Sequence, residues 1–170
     1  MTTIDSDVLV TRTGFRLRVR PTQLADEAAL TEFFGRVTPD DLRFRFLSSM
    51  REVGHDRIVA MASANDDSTE SLIALADDDS VVAVAMLAGD RSHDSAEAAI
   101  AVRGDRKALG IGWTLLEALL VHARNRGFGA VESIEDRTNW SAITLEREMG
   151  FELIPVDGEP TLVRVRRKTG

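Results

Sequence analysis

The segment that most constrains this chain is Ala96–Gly112, because it joins a strand to a helix with no linker between them. Ala96–Val102 is an apolar run of strand length, interrupted only by Glu97. Beyond it Leu109, Trp113, Leu116, Leu120 and Ala123 recur at spacings of four and three, an apolar stripe along a helix of roughly four turns. A buried strand that feeds such a helix requires sheet and helix to share one core.

The flanking sequence supplies the rest of that core. Phe15, Leu17 and Val19 alternate with Arg16, Arg18 and Arg20, the period of a strand with one buried face, expected to end at Pro21. Leu30, Phe33 and Phe34 predict a helix over Asp26–Phe34, stopped by Gly35. Thr38 before Pro39, with Asp41 three residues on, marks the start of a second helix carrying Leu42, Phe44, Phe46 and Leu47. His55–Ala62 reads as a third helix, followed by a solvated loop at Asn65–Ser68. Leu72–Ala76 and Val81–Leu87 form a hairpin around Asp77–Ser80. After Gly127 and Gly129 come a strand at Val131–Ile134, a helix at Trp140–Met149 stopped by Gly150, and a closing hairpin, Phe151–Val156 with Thr161–Val165. The order is strand, helices, three strands, helix, strand, helix, hairpin, an α+β arrangement rather than strict alternation. No linker interrupts it, so residues 1–170 are expected to be one domain, with 1–13 as a flexible or peripheral arm.

Charge and composition remove whole classes of function. The 28 acidic residues outnumber the 21 basic ones, for a net charge of -7, which opposes binding to nucleic acid or to an anionic membrane. With no cysteine, thiol redox chemistry and thiolate metal sites are excluded. His55, His93 and His122 fall in separate elements, so no metal site is expected. No apolar stretch reaches the roughly 18 residues of a spanning helix, and the N-terminus lacks signal-peptide character, so the expected location is the cytoplasm.

The chemistry concentrates where the long helix begins. A helix start presents unpaired N–H groups and a partial positive charge, which together hold phosphate. Gly110 and Gly112 allow close backbone approach, and Arg103, Arg106 and Lys107 gather positive charge in an acidic chain, so the loop reads as a diphosphate site. The glycine-Lys-Ser/Thr of a Walker loop is missing. A dinucleotide fingerprint is set aside too, for want of a third glycine and of an expected helical crossover to a parallel strand.

Val102, Lys107-Ala108-Leu109-Gly110-Ile111-Gly112 and Leu115-Leu116 resemble the acyl-CoA signature of the GNAT N-acetyltransferase superfamily, Gln/Arg-x-x-Gly-x-Gly/Ala, with Lys107 in the Gln/Arg place. Asn139, Ala142, Leu145, Gly150 and Phe151 resemble the family's second motif, Asn-x-x-Ala-x-x-Leu followed by Gly-Phe. The resemblance covers nearly the whole chain and implies a mixed, mostly antiparallel central sheet flanked by helices. That sheet would splay near its middle, so that the pantetheine arm of the cofactor pairs with the strand Ala96–Val102. It further implies acetyl-CoA or another short acyl-CoA as co-substrate, held by Ala101, Val102, Lys107, Ala108, Leu109, Gly110, Ile111, Gly112 and Asn139, with no metal. Thr38–Phe46 resembles the Arg-Phe-rich second helix of bacterial protein-lysine acetyltransferases, in which an Ala-Glu pair opens this strand ten residues before the loop, as Ala96-Glu97 precedes Lys107 here.

Acyl transfer from a thioester needs a neutral amine, and a free lysine has a pKa of about 10.4, so a base must take its proton. Glu97 is the candidate, expected to be partly desolvated among Ala96, Ala98, Ala99 and Ala101. The resemblance assigns the oxyanion donor to a backbone N–H around Val102. Many family members protonate the leaving thiolate with a tyrosine seven residues after the motif asparagine. That position is Glu146, and the chain contains no tyrosine. Ser141 and Thr144 are nearby hydroxyls read as helix surface. Arg43 and Arg45, alternating with Phe44 and Phe46, either pack or line an acceptor groove. Trp113 is read as core, and Trp140 as packing or bordering the cofactor. The acidic cluster of Asp66, Asp67, Glu70 and Asp77–Asp79 is read as solvated turns that steer a cationic acceptor. The expectation is an N-acyltransferase with a primary amine as partner, protein lysine first. A small-molecule amine or a non-catalytic CoA-binding regulatory domain are the alternatives, and a homodimer is compatible with either.

Overall fold

A computed structural model describes residues 7–48 and 52–170. Eight strands form one sheet: β1 (Asp7–Val10), β2 (Arg16–Pro21), β3 (Thr69–Leu75), β4 (Val81–Gly89), β5 (Ala96–Val102), β6 (Ala130–Asp136), β7 (Glu152–Pro155) and β8 (Leu162–Lys168). Their spatial order is β1-β2-β3-β4-β5-β6-β8-β7, antiparallel throughout except between β5 and β6. The helices are α1 (Glu27–Phe34), α2 (Pro39–Phe46), α3 (His55–Ala62), α4 (Ile111–Asn125) and α5 (Trp140–Glu148). The α+β class and the mostly antiparallel sheet are therefore as expected.

Alternation along the central strands builds two cores at once. Leu72 and Ala74 of β3 join Leu115, Leu116 and Leu119 of α4 on one face. Ile73 and Leu75 join Leu30 and Phe33 of α1, Leu42 of α2 and Ile58 of α3 on the other. Covered on both faces, Leu72–Leu75 of β3 and Val81–Ala88 of β4 read as unbroken apolar runs rather than alternating ones. Thr38 caps α2 as expected, accepting the N–H of Asp41. At Gly89 a Cβ would stand 2.0 Å from the Phe128 ring, so only glycine fits there.

Three expectations change. Residues 7–13, expected within an arm, contain the edge strand β1, paired with β2 from Asp7↔Val19 to Val10↔Arg16. Val8 and Val10 remain exposed, so β1 carries no burial pattern to betray it. β3 begins at Thr69, earlier than expected, and Glu70 is buried against His122 (3.1 Å) and Arg126 (3.7 Å) rather than lying in a solvated turn. A helical crossover to a parallel strand does exist, since α4 returns the chain so that β6 runs parallel beside β5. It was hidden because β5 and β6 touch over only two residue pairs, Ala96↔Val131 and Glu97↔Glu132.

Candidate active site

Those two pairs are the apex of a wedge. Past Glu97, β5 stays with β4 as far as Ala83↔Val102, while β6 turns away to β8 as far as Asp136↔Leu162. The Arg103 N–H donates to Val82 of the strand on the β4 side. Backbone alternation therefore points the N–H and C=O of Ala98, Ile100 and Val102 into the gap. The Ala98 carbonyl accepts from Ser133 Oγ across the apex at 2.9 Å. Ile100 and Val102 thus present free strand-pairing N–H and C=O groups along the gap.

The open end of the wedge leads to the α4 N-terminus. Ala108 (φ 64°) and Gly110 (φ 81°) are both left-handed, which folds the loop back over the helix start. No side chain caps α4, in contrast to α2 and α5, so its first N–H groups stay available. The turn between β1 and β2 braces the loop, Thr13 Oγ1 donating to the Leu109 carbonyl at 2.6 Å. Ile111 is buried in the core, and Gly112 faces Leu145 of α5 with room for a methyl group. The basic cluster is less available than its composition suggests. Lys107 is ion-paired with Asp41 of α2, and Arg103 folds onto Asp105 at 2.6 Å. Arg106 Nε is buried without a partner. What this loop presents to an anion is therefore mainly its backbone N–H groups.

Glu97 projects to the α2 face of the sheet, with Ala99 and Ala101, and its side chain is exposed. The desolvation expected from its alanine neighbours does not occur, because Ala96 and Ala98 point to the opposite face. Its neighbourhood is ionic instead. Burial lowers the pKa of the half-buried Arg45 guanidinium, and the negative charge of Glu97 works against that shift. Arg43 reaches Asp136 at 3.4 Å, and Arg166 reaches Glu132, the register partner of Glu97, at 3.0 Å. Arg43 and Arg45 also stack over Phe44 and Phe46, so packing and site-lining coexist in α2. The enclosed pocket beside Arg45 and Ala99 is about 10 Å³, space for about one water.

A second pair of carboxyl groups lies on the α5 face of the wedge. Glu135 of β6 and Glu146 of α5 are 8% and 6% exposed and hydrogen-bonded to each other. Two groups reach Glu135: Ser133 Oγ, whose own proton goes to the Ala98 carbonyl, lies 3.1 Å from its Oε1, and Asn139 Nδ2 donates to its Oε2 at 3.3 Å. Glu146 receives none of them, and its Oε2 has no partner. Burial, then the hydrogen bond and charge of Glu135, push Glu146 up to about 10. Asn139 uses its side-chain oxygen to cap α5 at Ala142 N–H, so it is occupied at both ends. The carboxyl pair was not legible as a pair in sequence, since eleven positions and a strand-to-helix turn separate the two residues.

Between the starts of α4 and α5 runs an open groove of about 450 Å³ lined by Arg12, Trp113, Trp140, Ser141, Thr144 and Glu148. Arg12 stacks over the Trp113 ring at 4.0 Å, and Trp140 is 73% exposed. Arg12 enters the site through β1 and its turn, which sequence reasoning missed. Among the described residues no group of three metal-ligating side chains occurs, and no helix is long and apolar enough to cross a membrane. His55 pairs with Glu27, His122 with Glu70, and His93 stacks on Phe128.

Residues 31–151 match the Acetyltransferase (GNAT) family. An acetyltransferase of Pseudomonas aeruginosa is 23% identical over 141 residues, 81% of this chain and 76% of its own. Among solved structures, the GNAT domain of S. lividans PAT superposes with a TM-score of 0.87 at 21% identity, covering 96% of each chain. The spermidine N-acetyltransferase of Vibrio cholerae, in complex with CoA and spermine, gives a TM-score of 0.73 at 15% identity, covering 90% of this chain and 95% of that one. A match across most of the chain, on a sheet that splays beside an uncapped glycine loop, establishes that this protein belongs to the GNAT family and is an acetyltransferase.

Proposed function

We propose that the protein moves an acetyl or other short acyl group from CoA to a primary amine, with protein lysine as its first acceptor and Glu97 as the base. The observation that carries this reading is the wedge, whose free β5 backbone runs from the α4 N-terminus to Glu97. Acetyl-CoA would lay its diphosphate on the N–H groups of residues 108–112 and its amide-bearing arm along Ile100 and Val102. Ala101 and Leu109 contribute backbone, and Lys107 acts through its pair with Asp41, which ties the loop to α2.

The acceptor amine approaches from the α2 face, gives a proton to Glu97, and attacks the thioester carbonyl, with Val102 N–H meeting the oxyanion. Because Glu97 is exposed and the enclosed pocket beside it holds about one water, the α2 face suits an extended side chain presented at the surface. The resemblance of α2 to the Arg-Phe helix of protein-lysine acetyltransferases agrees with that acceptor. The V. cholerae neighbour, an enzyme of spermidine, supports a small polyamine as the second reading.

Thiol release from acetyl-CoA, measured with a lysine-rich protein, spermidine and other amines, separates the two. Glu97→Gln should lower kcat about 10²-fold and leave calorimetric CoA affinity unchanged. Turnover intact from pH 6 to 9 in that variant removes Glu97 as the base. Failure of the wild type to bind CoA removes the reading of residues 101–112.

A further inference from the structure

We propose that the buried Glu135–Glu146 pair is the proton donor to the departing CoA thiolate, with Glu146 giving the proton and Glu135 holding it in place. The inference rests on the acyltransfer reading above and deepens it. Three observations carry it: the position of the pair, its hydrogen bonding, and the separation of faces.

Ser133 and Glu135 stand on the β6 wall of the wedge, and Ser133 touches the Ala98 carbonyl at the apex, across from where the β5 backbone opens. The pair is therefore joined to the strand edge that would hold the acyl arm. The Asn139 side-chain amide serves Glu135, while the single Ser133 proton goes to the Ala98 carbonyl, so a proton shared between the two carboxyls belongs on Glu146, whose Oε2 is left without any partner although it is buried. A buried polar atom without a partner costs free energy and calls for an explanation. A thiol sulfur arriving in the gap would supply one. Glu97 and this pair also lie on opposite faces of the β5–β6 seam, one carboxyl in solvent and one away from it. The amine thus loses its proton on one face while the sulfur gains one on the other. Two carboxyls in contrasting environments are the usual pattern for a base and an acid in one site.

The step balances. The amine nitrogen bonds to the carbonyl carbon, and its surplus proton passes to Glu97. The tetrahedral intermediate then collapses with cleavage of the C–S bond, whose electron pair goes to sulfur. Glu146 transfers its proton to that sulfur, giving the amide and CoA thiol, and the pair recovers a proton from water while Glu97 returns one. A carboxyl held neutral through the physiological range by burial and by Glu135 takes the part a phenol plays elsewhere, in a chain without tyrosine. On this face β5 brings Ala98, and β8 brings Val163, Val165 and the exposed Arg167; the charge that acts on Glu146 is that of Glu135.

The test is a pH series of thiol release from acetyl-CoA with poly-L-lysine, with spermidine, and with water alone as acceptor. In the wild type kcat should fall along an alkaline limb as the pair loses its proton. Glu146→Gln should lower kcat about 10²-fold, abolish that limb, and keep CoA affinity by calorimetry within about twofold. Infrared spectra of the wild type at pH 8 should show a protonated-carboxyl stretch that disappears in Glu146→Gln. Unchanged kcat in Glu146→Gln, a persistent alkaline limb, a parallel loss of CoA affinity, or no protonated-carboxyl band in the wild type overturns the proposal alone. A wild type that binds no CoA, or releases no thiol with any acceptor, overturns the acyltransfer reading and this proposal with it.

Discussion

Replacing Glu146 by glutamine should make the protein more stable, and by an amount that depends on pH in a defined way. The side chain has an ordinary value of 4.5, and in the fold burial and Glu135 hold it at about 10. Between those values the folded state keeps a proton that the unfolded chain releases, so wild-type stability falls as pH rises. At pH 7 the folded carboxyl keeps its proton while the unfolded one has lost it, which penalises the wild type by a few kcal/mol, at roughly 1.4 kcal/mol for each pH unit above its ordinary value. The figure needs only that the folded carboxyl stay protonated at pH 7. Glutamine keeps the volume, carries no such proton, and can still donate to Glu135. Urea unfolding at pH 5, 6, 7, 8 and 9, followed by the fluorescence of Trp113 and Trp140 with no tyrosine background, reads the effect directly. Glu146→Gln should gain about 3 kcal/mol over wild type at pH 7, the difference growing by about 1.4 kcal/mol per pH unit. Parallel stability curves from pH 5 to 9 would show that the carboxyl ionises in the fold and would sink the reasoning.

Other perturbations test the scaffold and the loop. Gly89→Ala should cost about 1–3 kcal/mol, because its Cβ meets the buried Phe128 ring at 2.0 Å, and Phe128→Leu on that background should recover part of the loss in urea midpoint. Gly110→Ala should cost about 1–2 kcal/mol for a left-handed alanine at φ 81° and weaken CoA in calorimetry, whereas unchanged affinity would remove this backbone from the site. The Arg20 hydrogen bond holds Asp26 below its ordinary 3.8, so this pair contributes stability above that value that is lost as pH falls. Asp26→Asn should lose about 2 kcal/mol at pH 7, a gap that closes in urea titrations below pH 4.

Much of this arrangement is legible in the chain because its signals are local. Ala96–Val102 is the strand as read, and Thr38-Pro39 opens α2 as read, since apolar runs and caps are decided by neighbouring residues. The glycine loop is equally local, and its two left-handed residues fall inside the stretch that sequence marked. β1 was missed because an edge strand with exposed Val8 and Val10 leaves no one-sided pattern. The β5–β6 pairing was missed because two residue pairs leave no mark on composition. Charge was misjudged where pairing is remote: Asp41 holds Lys107, and His122 with Arg126 holds the buried Glu70.

By itself, then, the sequence determined that a strand passes through a glycine loop into an amphipathic helix, that no cysteine or tyrosine takes part, and that a glutamate stands at the head of that strand. The tertiary structure decided what those pieces do to one another. Only the fold turns Glu97 out to solvent and brings Glu135 and Glu146 together away from it, on opposite faces of the same seam. Burial and pairwise distance set the protonation of a carboxyl, and both are properties of how distant segments pack, not of the residues taken in order.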